Sequence, residues 1–327
     1  MTEFNPEELK KLYIPPSDSH KGQNGKLLLV GGSELFHAAS LWSLKVASRI
    51  VDMVFYSSVP VNNQIVLEAK KEFRDGIVVP RENIEDYVEE ADCILIGPGM
   101  VRTEHGMSNI KYPISNIKEI DQLQDEGEQT CHLTKYLLTK YPKKRWVIDG
   151  GALQMMEPEW LRDMPEVIVT PHHKEFERLL HNVILGRSEA TTPESEEIDP
   201  GRTSFARLAE APAKRARMTN REENVQEFAQ EFGCVVLLKG KEDVVASPDQ
   251  SVIIRGGNAG MTKGGTGDVL AGLVAALACK NNLFLSASAG SYINKKAGEV
   301  LAERVGVYFN SSDLVDEIPH VLHAFTS

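Results

Sequence analysis

Residues 26–32 read KLLLVGG: one charged residue, four apolar residues in succession, then two glycines. A strand with one wet face alternates apolar and polar residues. An unbroken apolar run stopped by glycine instead suits a strand buried on both faces, as in a parallel sheet. The same design recurs in MVFYSS (53–58), GIVVP (76–80), CILIGPG (93–99), WVIDGG (146–151), VIVTPH (167–172) and CVVLLKG (234–240). Helical patterns lie between or after them, at 38–51, 81–90, 130–140, 174–181, 221–232, 267–279 and 286–303. This alternation predicts a doubly wound α/β domain with a central, mostly parallel sheet and helices on both faces. Ligands in such folds bind at the carboxyl ends of the strands. The Gly, Pro, Ser and Thr residues that close these runs occupy those ends.

Composition narrows the function classes. The net charge of −11 argues against nucleic acid or an anionic membrane as a general partner. The longest apolar stretch, Ala271 to Cys279, falls far short of the roughly 20 residues a membrane span needs. MTEFNPEELKKLY at the amino end has no apolar secretory core, so a cytoplasmic location is expected. Cys93, Cys131, Cys234 and Cys279 are widely spaced and read as reduced core thiols. Two polar segments interrupt the rhythm, at 101–129 and 186–220, and read as insertions; the second is expected to be disordered or a solvated arm, with a lid or a subunit-contact arm as the alternative.

The stretch richest in chemistry is GNAGMTKGGTGDVLAG, residues 257–272. Gly264, Gly265 and Gly267 crowd a turn before an apolar helix. A helix start presents unpaired N–H groups and the positive end of the macrodipole, and glycines let a phosphate approach that backbone. Gly264, Gly265, Thr266 and Gly267 are therefore candidate anion-binding residues, with Asn258 nearby. Asp268 would then sit beside the phosphate, where a carboxylate can take the proton of an attacking hydroxyl. As an isolated residue it reads more readily as a helix cap, and the glycines clustered ahead of it reverse that preference. No Lys-Ser/Thr pair follows the last glycine, so this is not a Walker loop.

This motif closely resembles the signature of the NAD(P)H-hydrate dehydratases, a branch of the ribokinase-like superfamily. Further resemblances follow in order: HKGQNGKLLLVGGS (20–33), IGPGM (96–100), IDGGAL (148–153), VTPHHKE (169–175) and VLLKGKEDVV (236–245). The resemblance implies a ribokinase-like α/β fold over 20–327, with 1–19 as an amino-terminal extension. It implies removal of water from NADHX and NADPHX, the hydrated reduced nicotinamide cofactors, while ADP or ATP is consumed and Mg²⁺ assists. The ring hydroxyl would be phosphorylated and phosphate then eliminated. It assigns catalysis to Asp268. Nucleotide binding falls to Lys239, Gly240, Lys241, Glu242, Asp243, Asn258 and Gly267, and substrate contacts to Ala38, Gly99, His172 and Asp268. It further implies a homo-oligomer, with a tetramer suggested by relatives that carry this domain alone, and leaves room for a separate epimerase as partner, because the 19 residues ahead of position 20 are too few for an epimerase domain.

Several positions depart from the family pattern. Met100-Val101 stands where Leu-Gly is usual, and His173-Lys174 where Pro-Gly is. Gly151 replaces the second acid of Asp-Ala-Asp, leaving Asp149 as the sole carboxylate of that turn. Glu242 and Asp243 put acids beside the expected nucleotide, and Ser48 to Asp52 lack the family's Gly-Ala-Gly. The alternatives are a small-molecule kinase of the same fold, acting on a vitamin precursor or sugar, and an inactive nucleotide-binding regulator.

Overall fold

The computed structural model describes residues 1–103, 116–190 and 221–326. Among these residues ten strands form one sheet: β1 (Thr2–Glu3), β2 (Lys26–Val30), β3 (Met53–Ser57), β4 (Ile77–Val78), β5 (Cys93–Ile96), β6 (Arg145–Ile148), β7 (Val167–Val169), β8 (Val235–Leu238), β9 (Asp243–Ala246) and β10 (Ser251–Ile254). Their order is β1-β10-β9-β8-β7-β6-β5-β2-β3-β4. Every pairing is parallel except those of β9, which runs against both neighbours. The seven apolar runs of the sequence are β2 to β8. Strand order reverses between β2 and β5, which places a topological switch point there.

Double-sided burial explains why the runs are unbroken. Leu27, Leu29, Leu95, Val147 and Leu237 point to one face and pack on the helices Ala38–Ala47, Thr266–Ala278 and Leu283–Val305. Leu28, Val30, Ile96, Ile148 and Val236 point to the other, against Ile84–Glu90, Glu126–Lys140 and Arg221–Phe232. Each fully buried side chain of this kind contributes about 1.5–3 kcal/mol, so a polar residue at either parity would be costly.

The helix Thr266–Ala278 is apolar almost all round because it lies under the helix Ala38–Ala47 as well as on the sheet. Gly272 is what permits that approach: a Cβ there would stand 2.6 Å from the Cα of Ser43. The last glycine of the 257–272 motif therefore serves helix packing. Ser43 Oγ donates to the Asp268 carbonyl at 2.7 Å, which ties the two helices together at the level of the candidate base.

Four features differ from the sequence reading. The residues ahead of 20, expected as an extension, join the domain. Phe4, Leu9 and Leu12 are buried and β1 extends the sheet beside β10. The polar stretch 101–129 is partly core. Ile117 and Ile120 are buried, and Asp125 Oδ1 accepts the Glu128 amide at 2.7 Å to start the helix Glu126–Lys140; residues 104–115 lie outside the description. The helix His173–Ala190 runs into the second polar segment, whose remainder, 191–220, also lies outside the described residues. The helices Pro60–Ala69 and Ser311–Thr326 were not anticipated. No described helix is long and apolar enough to cross a membrane.

Candidate active site

The glycines ahead of the helix Thr266–Ala278 do different things. Gly265 is the N-cap residue at φ 97°, a left-handed conformation that favours glycine. A Cβ there would also lie 2.3 Å from the Trp42 ring. Gly264 is open, with nothing within 4 Å of a Cβ, and its carbonyl accepts the Ser311 hydroxyl at 2.9 Å. Gly267 faces Lys239, whose Nζ would be 3.7 Å from its Cβ. The Thr266 hydroxyl donates to the carbonyls of Met261 (2.8 Å) and Lys263 (3.0 Å), closing the turn.

Asp268 is the third residue of this helix, and the N-cap position belongs to Gly265. Its carboxyl is pushed up to about 7, chiefly because burial disfavours the charged form. The nearby charge of Asp149 pushes the same way, while Lys239 and a hydrogen bond from its own amide oppose it. A carboxyl near 7 is well matched to proton transfer at neutral pH.

Lys239, one residue beyond β8, is held from two sides. Its amide donates to the Pro171 carbonyl at 2.8 Å, and its Nζ lies 2.7 Å from Asp149 Oδ1. Asp149 is buried at the end of β6 and also accepts the Thr170 hydroxyl at 2.7 Å. His172, half-exposed at the end of β7, is braced by buried Glu175. Glu175 Oε2 accepts the His172 amide at 2.8 Å, and the imidazole Nδ1 accepts the Glu175 amide at 3.1 Å. Asp149 and Glu175 were not among the residues expected from sequence. Only their place just after β6 and β7 could have marked them.

A cavity of about 820 Å³ opens beside this cluster. His172, Lys239, Gly240, Lys241, Glu242, Asp243, Asn258, Thr266 and Gly267 line it, together with Arg255 and Lys295. Its size suits a nucleotide. Ala38, Gly99, Gly264, Gly265 and Asp268 do not line it; Asp268 adjoins it through Gly267 and Lys239. Asn258 braces the rim. Its Nδ2 donates to the Gly298 carbonyl at 2.7 Å and its Oδ1 accepts the Gly260 amide at 2.8 Å.

The two acids of the loop are matched by partners. Asp243 is buried, accepting the Gly240 amide and the Ser291 hydroxyl, each at 2.7 Å, with Lys295 Nζ at 3.3 Å. Glu242 Oε1 accepts from Arg255 Nε at 2.8 Å. Neither leaves an isolated negative charge facing a phosphate.

Gly99, at φ 74°, packs on the residues flanking Ala38 at the switch point: a Cβ on Gly99 would approach the Phe36 carbonyl oxygen to 2.9 Å and the Ala39 Cβ to 3.0 Å. Ala38 is exposed at the start of its helix. The HKGQNG stretch, by contrast, precedes β2 and therefore lies at the amino ends of the strands. Asp52 Oδ2 accepts the amides of Gly22 (2.7 Å) and Asn24 (3.0 Å), which makes this motif a structural turn.

Comparison with known proteins agrees with this architecture. The profile of a family described as NAD(P)H-hydrate dehydratase matches residues 27–198 and 192–320. The chain is 32% identical over 320 residues to the ADP-dependent (S)-NAD(P)H-hydrate dehydratase of Nitrosopumilus maritimus, covering 97% of this chain and 96% of that one. It is 30% identical over 328 residues to the bifunctional NAD(P)H-hydrate repair enzyme Nnr of Methanocaldococcus jannaschii, covering 97% of this chain and 52% of the relative. The chain thus spans about half the length of that bifunctional relative. The crystal structure of the ADP/ATP-dependent NAD(P)H-hydrate dehydratase of Bacillus subtilis, co-crystallized with ATP and Mg²⁺, superposes with a TM-score of 0.70 at 20% identity. It covers 99% of this chain and 98% of that one. With the profile matching most of its length, the chain belongs to the NAD(P)H-hydrate dehydratase family.

Proposed function

We propose that this chain dehydrates NADHX and NADPHX to NADH and NADPH while a nucleotide, ADP in preference to ATP, is hydrolysed. The observation that carries the reading is Asp268. Its carboxyl, pushed up to about 7, stands in the first turn of a glycine-led helix beside Lys239 and next to a cavity of nucleotide size. The preference for ADP follows the ADP dependence in the name of the Nitrosopumilus maritimus relative.

The chemistry follows from the positions. Hydroxide is a poor leaving group and phosphate a good one. Asp268 accepts the proton of the ring hydroxyl as its oxygen attacks the terminal phosphorus. The amides at the helix start stabilise charge on the transferred phosphoryl group, as preorganised donors do. Lys239 adds positive charge at the same place. Phosphate then departs with the former hydroxyl oxygen, a ring proton is lost and the conjugated dihydronicotinamide returns. Among the described residues no group of three or more His, Cys, Asp or Glu could hold a metal. Mg²⁺, were it to enter with the nucleotide, would offset charge on the phosphates, as it does in phosphoryl transfer.

The test is to supply the protein with NADHX or NADPHX, Mg²⁺ and ADP or ATP, and to follow both reduced-nicotinamide absorbance and free phosphate. Equal amounts of the two products are expected. Nucleotide turnover with sugars or vitamin precursors, and none with either hydrate, would overturn the reading in favour of a kinase.

A further inference from the structure

Asp149 has no obvious local duty. It occupies the N-cap position of the helix Gly150–Met155, yet its side chain makes no capping hydrogen bond. It is buried, and its Oδ1 instead takes the Thr170 hydroxyl and the Lys239 ammonium, both at 2.7 Å. Lys239 is 90 residues away in sequence and comes from a different strand. Its ammonium reaches the amino end of the helix Thr266–Ala278, within 3.7 Å of where a Gly267 Cβ would be. It also interacts electrostatically with Asp268 and Glu175.

A lysine beside a carboxylate normally claims it. If Lys239 paired with Asp268, that carboxylate would be a weak base, bound in a salt bridge when a hydroxyl arrived. Asp149 takes the same ammonium at 2.7 Å, and Thr170 fixes the accepting oxygen. We propose that Asp149 is a positioning residue that holds Lys239 away from Asp268, leaving the Asp268 carboxylate free to accept the hydroxyl proton while the ammonium stays at the phosphate end of the helix. This rests on the proposed role of Asp268 as base.

The charged groups around Asp268 are Asp149, Lys239 and Glu175, and His172 lines the adjoining cavity with Lys239. Asp149→Asn removes a negative neighbour and releases Lys239, so both effects make Asp268 easier to ionise. Lys239→Met does the reverse. The experiment follows the carboxyl-carbon resonance of Asp268 by NMR across pH in the substrate-free protein, assigned by its loss in Asp268→Asn. The expected order of titration midpoints is Asp149→Asn lowest, wild type between, Lys239→Met highest. Turnover in Asp149→Asn should fall by about tenfold or more with its acid limb moved to lower pH, and the KM for the hydrate should change little.

Identical midpoints in folded wild type and Asp149→Asn would overturn the proposal, as would a reversed order. If Asp149→Asn alone fails to fold, the Lys239→Met variant and the Asp149→Asn/Lys239→Met pair keep the comparison. Lys239→Met must lie above wild type, and the pair must lie below Lys239→Met. The titration needs no substrate. A wild-type protein that leaves the hydrates untouched but shows this order would therefore sink the dehydratase reading and spare the coupling.

Discussion

A Cβ built on Gly151 would lie 2.1 Å from the carbonyl oxygen of Met100 and 2.9 Å from the Met100 Cβ. The two departures from the family pattern that seemed independent along the chain are one contact. Met100 is buried, and its backbone takes the space that a side chain at the Gly151 position of the Asp149 turn would need.

Gly151→Asp should therefore destabilise the fold on its own. The side chain meets backbone, which cannot rotate away, and overpacking of this kind costs about 1–3 kcal/mol. Thermal denaturation should show a clearly lowered Tm. An unchanged Tm would mean that the Met100 turn moves freely.

Asp268→Asn should cut turnover by about 10²–10⁴-fold and leave nucleotide affinity, read by calorimetry, nearly intact. In the wild type the acid limb of the rate profile should fall near pH 7, because Asp268 must be ionised to act and its carboxyl is pushed up to about 7. Full activity in the folded variant would remove Asp268 from the mechanism.

The same residue makes a stability prediction with a definite sign. Asp268 rises from 3.8 to about 7 on folding, so the folded chain binds the proton more tightly than the unfolded one. The associated stability is fully present below about pH 4 and is lost as pH rises to about 7. Asparagine, which cannot ionise, should raise the Tm at pH 8 more than at pH 4. Equal Tm differences at the two pH values would count against a raised carboxyl.

The glycines of the turn should separate folding from binding. Gly265→Ala combines a left-handed backbone with a clash against Trp42 and should lower the Tm. Gly267→Ala meets only the Lys239 ammonium, at an ordinary 3.7 Å, and lies inside a helix, where alanine is favoured by about 1 kcal/mol. It should fold well and bind nucleotide less tightly. Undiminished affinity in Gly267→Ala would place the phosphates elsewhere.

What the sequence disclosed follows from range. Burial parity along β2 to β8 and the glycine-led helix start are local patterns, so the sheet and the turn at 264–267 were legible. The hairpin of β9 and β10 was obscured because Asp243, a strand residue, read as part of a loop; only Ser291 and Lys295 show why a buried acid belongs there. HKGQNG carries part of the family resemblance, yet the sequence does not say that it lies at the amino end of β2, where Asp52 fixes it as a turn. Asp149 gave no hint of Lys239, since nothing local requires that pairing.

The pairing of Thr2 with Val252 and Glu3 with Ile253 sets an order of assembly. Thr2 and Glu3 cannot take their place until the roughly 250 residues between them and β10 have been made. This long-range closure adds loop entropy without speeding the early steps. Until it happens β10 presents an unpaired edge, the kind of surface on which chains stick together. Trimming the first few residues should thus leave the cavity chemistry largely intact and show its effect in refolding yield at high protein concentration.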